Sequence, residues 1–162
     1  MRMKAVAFGL LGAAAMTMTM AADSLQTGLP SSFLTPGDSK KVTKEQICAP
    51  GYAASLKATK ESAKEEAFSR YGLRDGVSKT SVLNHLIPIE LGGADNVENL
   101  WPEPMKGDWN ATQKDALEQK LLGMVCDGSL TVKQAQNAIK KNWVQAYTQY
   151  VGAATAVATK NQ

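Results

Sequence analysis

The stretch SVLNHLIPIELGGADNVENLWPEP, residues 81–104, limits what this chain can fold into more than any other. Two apolar, β-branched runs flank Gly92 and Gly93, which is the pattern of two short strands joined by a glycine-rich loop. The first run is strand-like on either side of Pro88, and a proline there demands a strand end or an edge, because it cannot donate to a ladder. The second, NLWPEP, is a short extended piece stopped by two prolines. His85, the only histidine of the 162 residues, lies at the mouth of this hairpin beside the amide of Asn84.

Helical patterns surround the hairpin. Thr43 and Gln46 make a capping box that opens a short turn up to Cys48, and Pro50 and Gly51 break it. In TKESAKEEAFSRYG the apolar residues Ala63, Ala67, Phe68 and Tyr71 share one face, with Gly72 as the stop and the Lys-Glu run as the solvated face. LRDGVSKT is a polar loop. After the loop MKGDWN a helix is predicted over 111–125, with Leu117, Leu121, Leu122 and Val125 on one face. A second capping box, Thr131 with Gln134, opens a last helix whose stripe is Ala135, Ile139, Trp143 and Tyr147. The expected fold class is α+β: a small hairpin with helices packed around it.

The start of the chain, MRMKAVAFGLLGAAAMTMTMAADS, has two basic residues, an apolar run and small residues near Ala21 and Ala22. That is the pattern of a secretory signal over residues 1–22. Residues 23–42 are rich in Ser, Pro and Gly and predict an extended arm rather than packed structure. A single domain then fills 43–150, and 151–162 is a frayed tail. No other stretch is long and apolar enough to cross a bilayer, so the expected setting is periplasmic or secreted, as a monomer without a membrane contact after signal cleavage. Without residues 1–22 the chain keeps 16 basic and 15 acidic residues, a net charge of +1. Charge alone therefore gives no evidence for a polyanion partner. An even cysteine count in an exported chain favours one disulfide, Cys48 to Cys126, closing a loop of 78 residues.

A histidine on a strand, a turn, a second strand and a helix with polar residues at its start have a known chemical use. Phosphodiester hydrolysis needs a base to activate water and a divalent cation to stabilise charge on the phosphate and the leaving oxygen. Histidine suits the first task because its ordinary pKa, about 6.5, leaves it largely neutral near neutral pH.

NHLIPIELGGADNVENLWPEP resembles the HNH family of nucleases, whose fold is the ββα-metal motif. It is most similar to small bacterial HNH-like proteins that typically read Asp-His-Leu-Ile-Pro-Leu-Glu-Leu-Gly-Gly. ICAPGY, RYG, KDALE, VCDG and AQNAIKKNWVQAY resemble the same subgroup in the same order, so the likeness spans residues 35–150. The resemblance implies His85 as general base, Asn84 at a metal-binding position, and Asn99 as the side chain that pins the loop and holds the histidine. It implies Gly92 and Gly93 in the turn. The metal ligand expected on the following helix has no clean match; Asn110 and Asp115 are the candidates, and Lys114 is a candidate for facing a phosphate. One divalent cation is implied, Mg²⁺ first, with Mn²⁺, Ni²⁺ or Zn²⁺ as other occupants. The implied partner is nucleic acid, DNA ahead of RNA. The cysteine pairs of zinc-knuckle relatives are absent from the sequence.

Asn84 is the departure. Where the subgroup has an aspartate, an amide offers a hard cation only a dipole. Glu90 and Asp95 are close enough in sequence to supply charge, although a solvent-facing strand end and a turn-forming aspartate account for them better. Three functions follow: a metal-dependent endonuclease, a catalytically inactive relative that binds nucleic acid, and a small structural protein held by its disulfide.

Overall fold

The computed structural model describes residues 28–73 and 80–152. The segment expected to be a secretory signal, much of the loop after Leu73 and nearly all of the expected tail lie outside the described residues. In chain order the elements are α1 (Lys44–Ile47), α2 (Tyr52–Ser55), α3 (Glu61–Arg70), β1 (Ser81–His85), a 3₁₀ turn (Ile89–Leu91), β2 (Leu100–Pro104), α4 (Ala111–Cys126) and α5 (Val132–Tyr150). The class is α+β, with one two-stranded antiparallel sheet among the described residues.

The register pairs Ser81 with Pro104, Leu83 with Pro102 and His85 with Leu100. Pro102 thus lies inside β2, and Pro104 is its last residue. Met105 donates its N–H to the Thr80 carbonyl and Asn99 accepts from Leu86. Strand groups alternate in direction, so the positions of Pro102 and Pro104 point away from β1. On a sheet of two strands that edge has no ladder to break. The first strand ends at His85, short of the expected continuation to Leu91. Leu86 and Ile87 turn inward, both buried, and the 3₁₀ turn follows Pro88.

Every residue of β2 is buried, with α3 packed on the hairpin and α4 against α5. The core joins Tyr71, Leu86, Leu91 and Trp101 to Leu117, Leu121 and Val125 of α4 and Ala135, Ile139, Trp143 and Tyr147 of α5. Both predicted capping boxes form, and α4 has a third, Asn110 with Gln113. The last helix is interrupted at Asn142, whose backbone is extended (φ −170°) and whose side chain accepts from Gln145 N, so it caps the second half. The apolar stripe runs through the break.

Residues 28–42 do not stand apart as an arm. Leu34 and Thr35 are buried, and the Thr35 hydroxyl donates to the Leu100 carbonyl at 2.8 Å and bonds the Tyr71 hydroxyl at 2.9 Å. Gly37 N donates to Glu98 O, Ala94 N to Asp38 O and Lys40 N to Gly92 O. The segment lacks regular structure because of its prolines and glycines, yet its backbone is bonded residue by residue to the loop between the strands. Composition showed the irregularity and not the partner.

Cys48 and Cys126 form a disulfide with a Cα separation of 5.6 Å, tying the end of α1 to the end of α4. Replacing both by alanine is expected to lower unfolding free energy by about 4 kcal/mol, the chain-entropy value for a loop of this length. Urea unfolding of the oxidised and double-alanine proteins checks it; equal midpoints would contradict it.

Candidate active site at the hairpin end

His85 ends β1 with both backbone groups held by side chains. Its N–H donates to Asn84 Oδ1 at 2.8 Å, and its carbonyl accepts from Lys114 Nζ at 2.8 Å. The imidazole, 11% exposed, places Nε2 3.0 Å from Asp95 Oδ1. The same carboxyl oxygen accepts from the Thr59 hydroxyl at 2.7 Å. Partial burial pushes the Asp95 carboxyl up, but hydrogen bonds from Thr59 and His85 and the charges of His85 and Lys40 outweigh it and hold it below its ordinary value. Asp95 is therefore a carboxylate near neutral pH and can only accept. His85 Nε2 thus donates to Asp95, so that whenever the ring is neutral its lone pair lies on Nδ1.

The loop that brings Asp95 back to His85 is closed by Asn99. Its buried amide accepts from Ile87 N at 2.9 Å and donates to Ile87 O at 2.8 Å and Ala94 O at 2.9 Å. Its side chain thus makes three bonds across the loop. Gly93 is required beside it, since a Cβ there would collide with the Ile87 carbonyl. Gly92 takes φ +82°, where L side chains are strained, and a Cβ would meet Val42.

On the other side of β1, Asn84 Nδ2 donates to Glu103 Oε2 at 2.8 Å. Glu103 is fully buried, and its Oε1 has no hydrogen-bond partner. Burial pushes its carboxyl up to about 7, against the charge of Lys114 and the hydrogen bond from Asn84. Lys114, a candidate for contacting phosphate, is fully buried; its ammonium is shared between the His85 carbonyl and the Glu118 carboxylate. It lies on the buried face of α4, three and seven residues before Leu117 and Leu121. Burial also raises the Glu118 carboxyl, opposed by Lys114.

Asn110 is the N-cap of α4. Its oxygen accepts from Thr112 N and its amide donates to Gly107 O, so its side chain is engaged in the cap. Asp115 is an exposed residue of α4 whose charge acts on Glu103 and Glu118. Among the described residues no group of three His, Cys, Asp or Glu side chains is placed to hold a metal ion. A Mg²⁺-type ion, however, keeps several waters and takes one or two protein oxygens besides the substrate's phosphate. Of this pair only Glu103 Oε1 is an unpartnered hard-oxygen donor; Asn84 turns its Nδ2 to Glu103 and its Oδ1 to the His85 N–H.

A cleft of about 410 Å³ opens beside Asp95, lined also by Lys40, Tyr52, Ser55, Lys57 and Ile89. Thr59, Glu103 and Glu118 carry no assignment from the sequence, where Asp95 reads first as a turn residue. Glu103 carried a usable signal, a carboxylate flanked by prolines inside an apolar strand. No protein family, curated protein or solved structure matches this chain.

The buried carboxyl has a pH signature. Glu103 takes up a proton on folding between its ordinary value of 4.5 and about 7. Stability therefore falls as pH rises through that window, by on the order of 3 kcal/mol. Glu118 adds in the same direction, whereas the lowered carboxyl of Asp95 acts below it. Urea midpoints in chelator should drop between about pH 5 and about pH 8, and Glu103→Gln should remove most of the drop. A wild-type midpoint that holds or rises over this range contradicts the assignment.

Proposed function

We propose that this chain is an HNH-like phosphodiesterase acting on nucleic acid, with β1, β2 and α4 as its hairpin-helix unit. The observation that carries the reading is the His85–Asp95 pair at the strand end. A lone histidine is oriented through Nε2 by a carboxylate, with its loop fixed by Asn99. In the proposed reaction His85 Nδ1 takes a proton from the attacking water while oxygen bonds to phosphorus. The bond from phosphorus to the leaving ester oxygen then breaks, and that oxygen leaves with a proton from solvent or from His85. Asp95 stabilises the imidazolium that forms, as the carboxylate of a catalytic triad does. Glu103 would hold a divalent ion through its unpartnered Oε1, and Asn84 would join it only by releasing its oxygen from the His85 N–H. Such an ion, when bound, supplies charge stabilisation on the phosphate and leaving oxygen. Lys114 acts from behind the site, holding the His85 carbonyl. The disulfide is compatible with a setting outside the cytosol, and no helix among the described residues is long and apolar enough to cross a membrane.

The second reading, an inactive relative that binds nucleic acid, is favoured by the Asn84–Glu103 hydrogen bond. It occupies one carboxyl oxygen with an amide donor where an aspartate would add a second negative charge.

Plasmid nicking by the oxidised protein with Mg²⁺, Mn²⁺ or Ni²⁺ separates the two. Cleavage is expected to need metal and to fall by roughly 10²-fold or more in His85→Ala, the usual weight of a general base. Asn84→Asp is expected to keep or raise the rate, because it restores charge to the proposed ion site. No cleavage with any of the metals by wild type and Asn84→Asp alike would overturn the enzyme and leave the binding module.

A further inference from the structure

A second cleft, of about 830 Å³, lies between the start of α1 and the start of α5, and its walls carry Lys40, Lys41, Lys44 and Lys133 without any carboxylate. None of the four lysines is in an ion pair among the described residues. In a mature chain with a net charge of only +1, this is a local concentration of charge rather than the sample of a generally basic surface. The wall is built, not draped. Lys40 N donates to Gly92 O, Ser39 pairs with Gly93, and Thr43 caps the helix that begins at Lys44. Lys133 stands in the first turn of α5, next to its Thr131 cap. Lys40 also borders the cleft at Asp95, together with Lys57, and its charge acts on the Asp95 carboxyl.

We propose that this lysine-walled cleft binds the sugar-phosphate backbone of nucleic acid and leads it, past Lys40, to the His85 site. The direction of travel rests on the nuclease reading; the binding does not. Four ammonium groups outside any ion pair, gathered on one cleft, suit a polyanion, and binding gains free energy by releasing the counterions condensed on it. Lysine acts as a point charge and lacks the planar fork that reads base edges or grips one phosphate bidentately, so the contact is independent of sequence. A lipid surface fits less well. The exposed large apolar residues Phe33, Val82, Met105 and Val151 do not line the cleft, so nothing there would enter a bilayer.

The test uses His85→Ala protein in chelator, so that binding is read without cleavage, with fluorescently labelled single-stranded and duplex DNA. Anisotropy titrations at several salt concentrations should give log K against log salt with a slope of about −3 to −4, one counterion per lysine. Lys41→Glu/Lys133→Glu should weaken binding at least tenfold at low salt and make the slope shallower by about 2. The charge-matched control Lys106→Glu/Lys141→Glu, at lysines lining neither of the two clefts, should lose much less. Equal losses in the two double variants, or no loss in either, would overturn the proposal. So would displacement of DNA by inorganic phosphate beyond the effect of chloride at equal ionic strength, which marks a small-anion site. Binding to phosphatidylserine vesicles with the same lysine dependence and no competition from DNA would overturn it in favour of a membrane. Lysine-dependent binding by a protein that never nicks plasmid would overturn the nuclease alone. Nicking that survives Lys41→Glu/Lys133→Glu unchanged, with DNA binding also unchanged, would overturn the cleft alone.

Discussion

Three hydrogen bonds from one buried amide hold the site region of this protein together. Asn99 joins Ile87 N, Ile87 O and Ala94 O across the loop between the strands. It does inside the hairpin what a ladder would do in a longer sheet. Each such bond contributes about 1 kcal/mol net, and leaving a buried partner unmade costs more. The loop it closes carries Asp95 back to His85 and also receives the N-terminal segment, through Gly37, Asp38 and Lys40. His85, Asp95 and Lys40 therefore depend on one backbone shape. Gly93 is the residue that lets the chain pass close enough to form it.

Behind that loop the protein accepts an expensive interior. Glu103, Lys114 and most of Glu118 are removed from water within a domain of modest size. Isolated buried charges are strongly unfavourable, and even well-made pairs seldom exceed an apolar core in stability. Here the arrangement does more than pair charges. Lys114 crosses from α4 to the carbonyl of His85, so the helix and the strand end share one fixed contact. Asn84 matches this environment with a donor for Glu103 and an acceptor for the His85 N–H. An aspartate at position 84 can give only the second of these while ionised, which leaves two carboxylates facing each other unless a cation lies between them. The departure from the HNH-like pattern is thus coupled to the charge state of its neighbour.

The helices were legible because periodicity and caps are local. Leu117, Leu121 and Val125, and the stripe from Ala135 to Tyr147, fall on buried faces as their spacing predicts. The disulfide pairing also followed from the cysteine count. What escaped is long-range. Residues 28–42 look like linker by composition, and only the loop they bond to makes them part of the fold. Lys114 was read as a charge for substrate because lysine is seldom buried, but its position on the apolar face of α4 removes it from solvent. Asp95 looked like a turn residue, and Thr59 carried no signal; both acquire meaning only once the pinned loop brings them to His85. The lysines of the second cleft are scattered between residues 40 and 133, and net charge hides them.

Asp95 holds the His85 ring through Nε2, so the neutral ring should present an unprotonated Nδ1. Because the chain has one histidine, long-range ¹⁵N–¹H correlation spectra of the protein show that ring without ambiguity. At a pH where the imidazole is neutral, the account predicts a single tautomer with the proton on Nε2 and an unprotonated Nδ1, lost or mixed in Asp95→Asn. A wild-type ring protonated on Nδ1, with Nε2 carrying the lone pair, would contradict it.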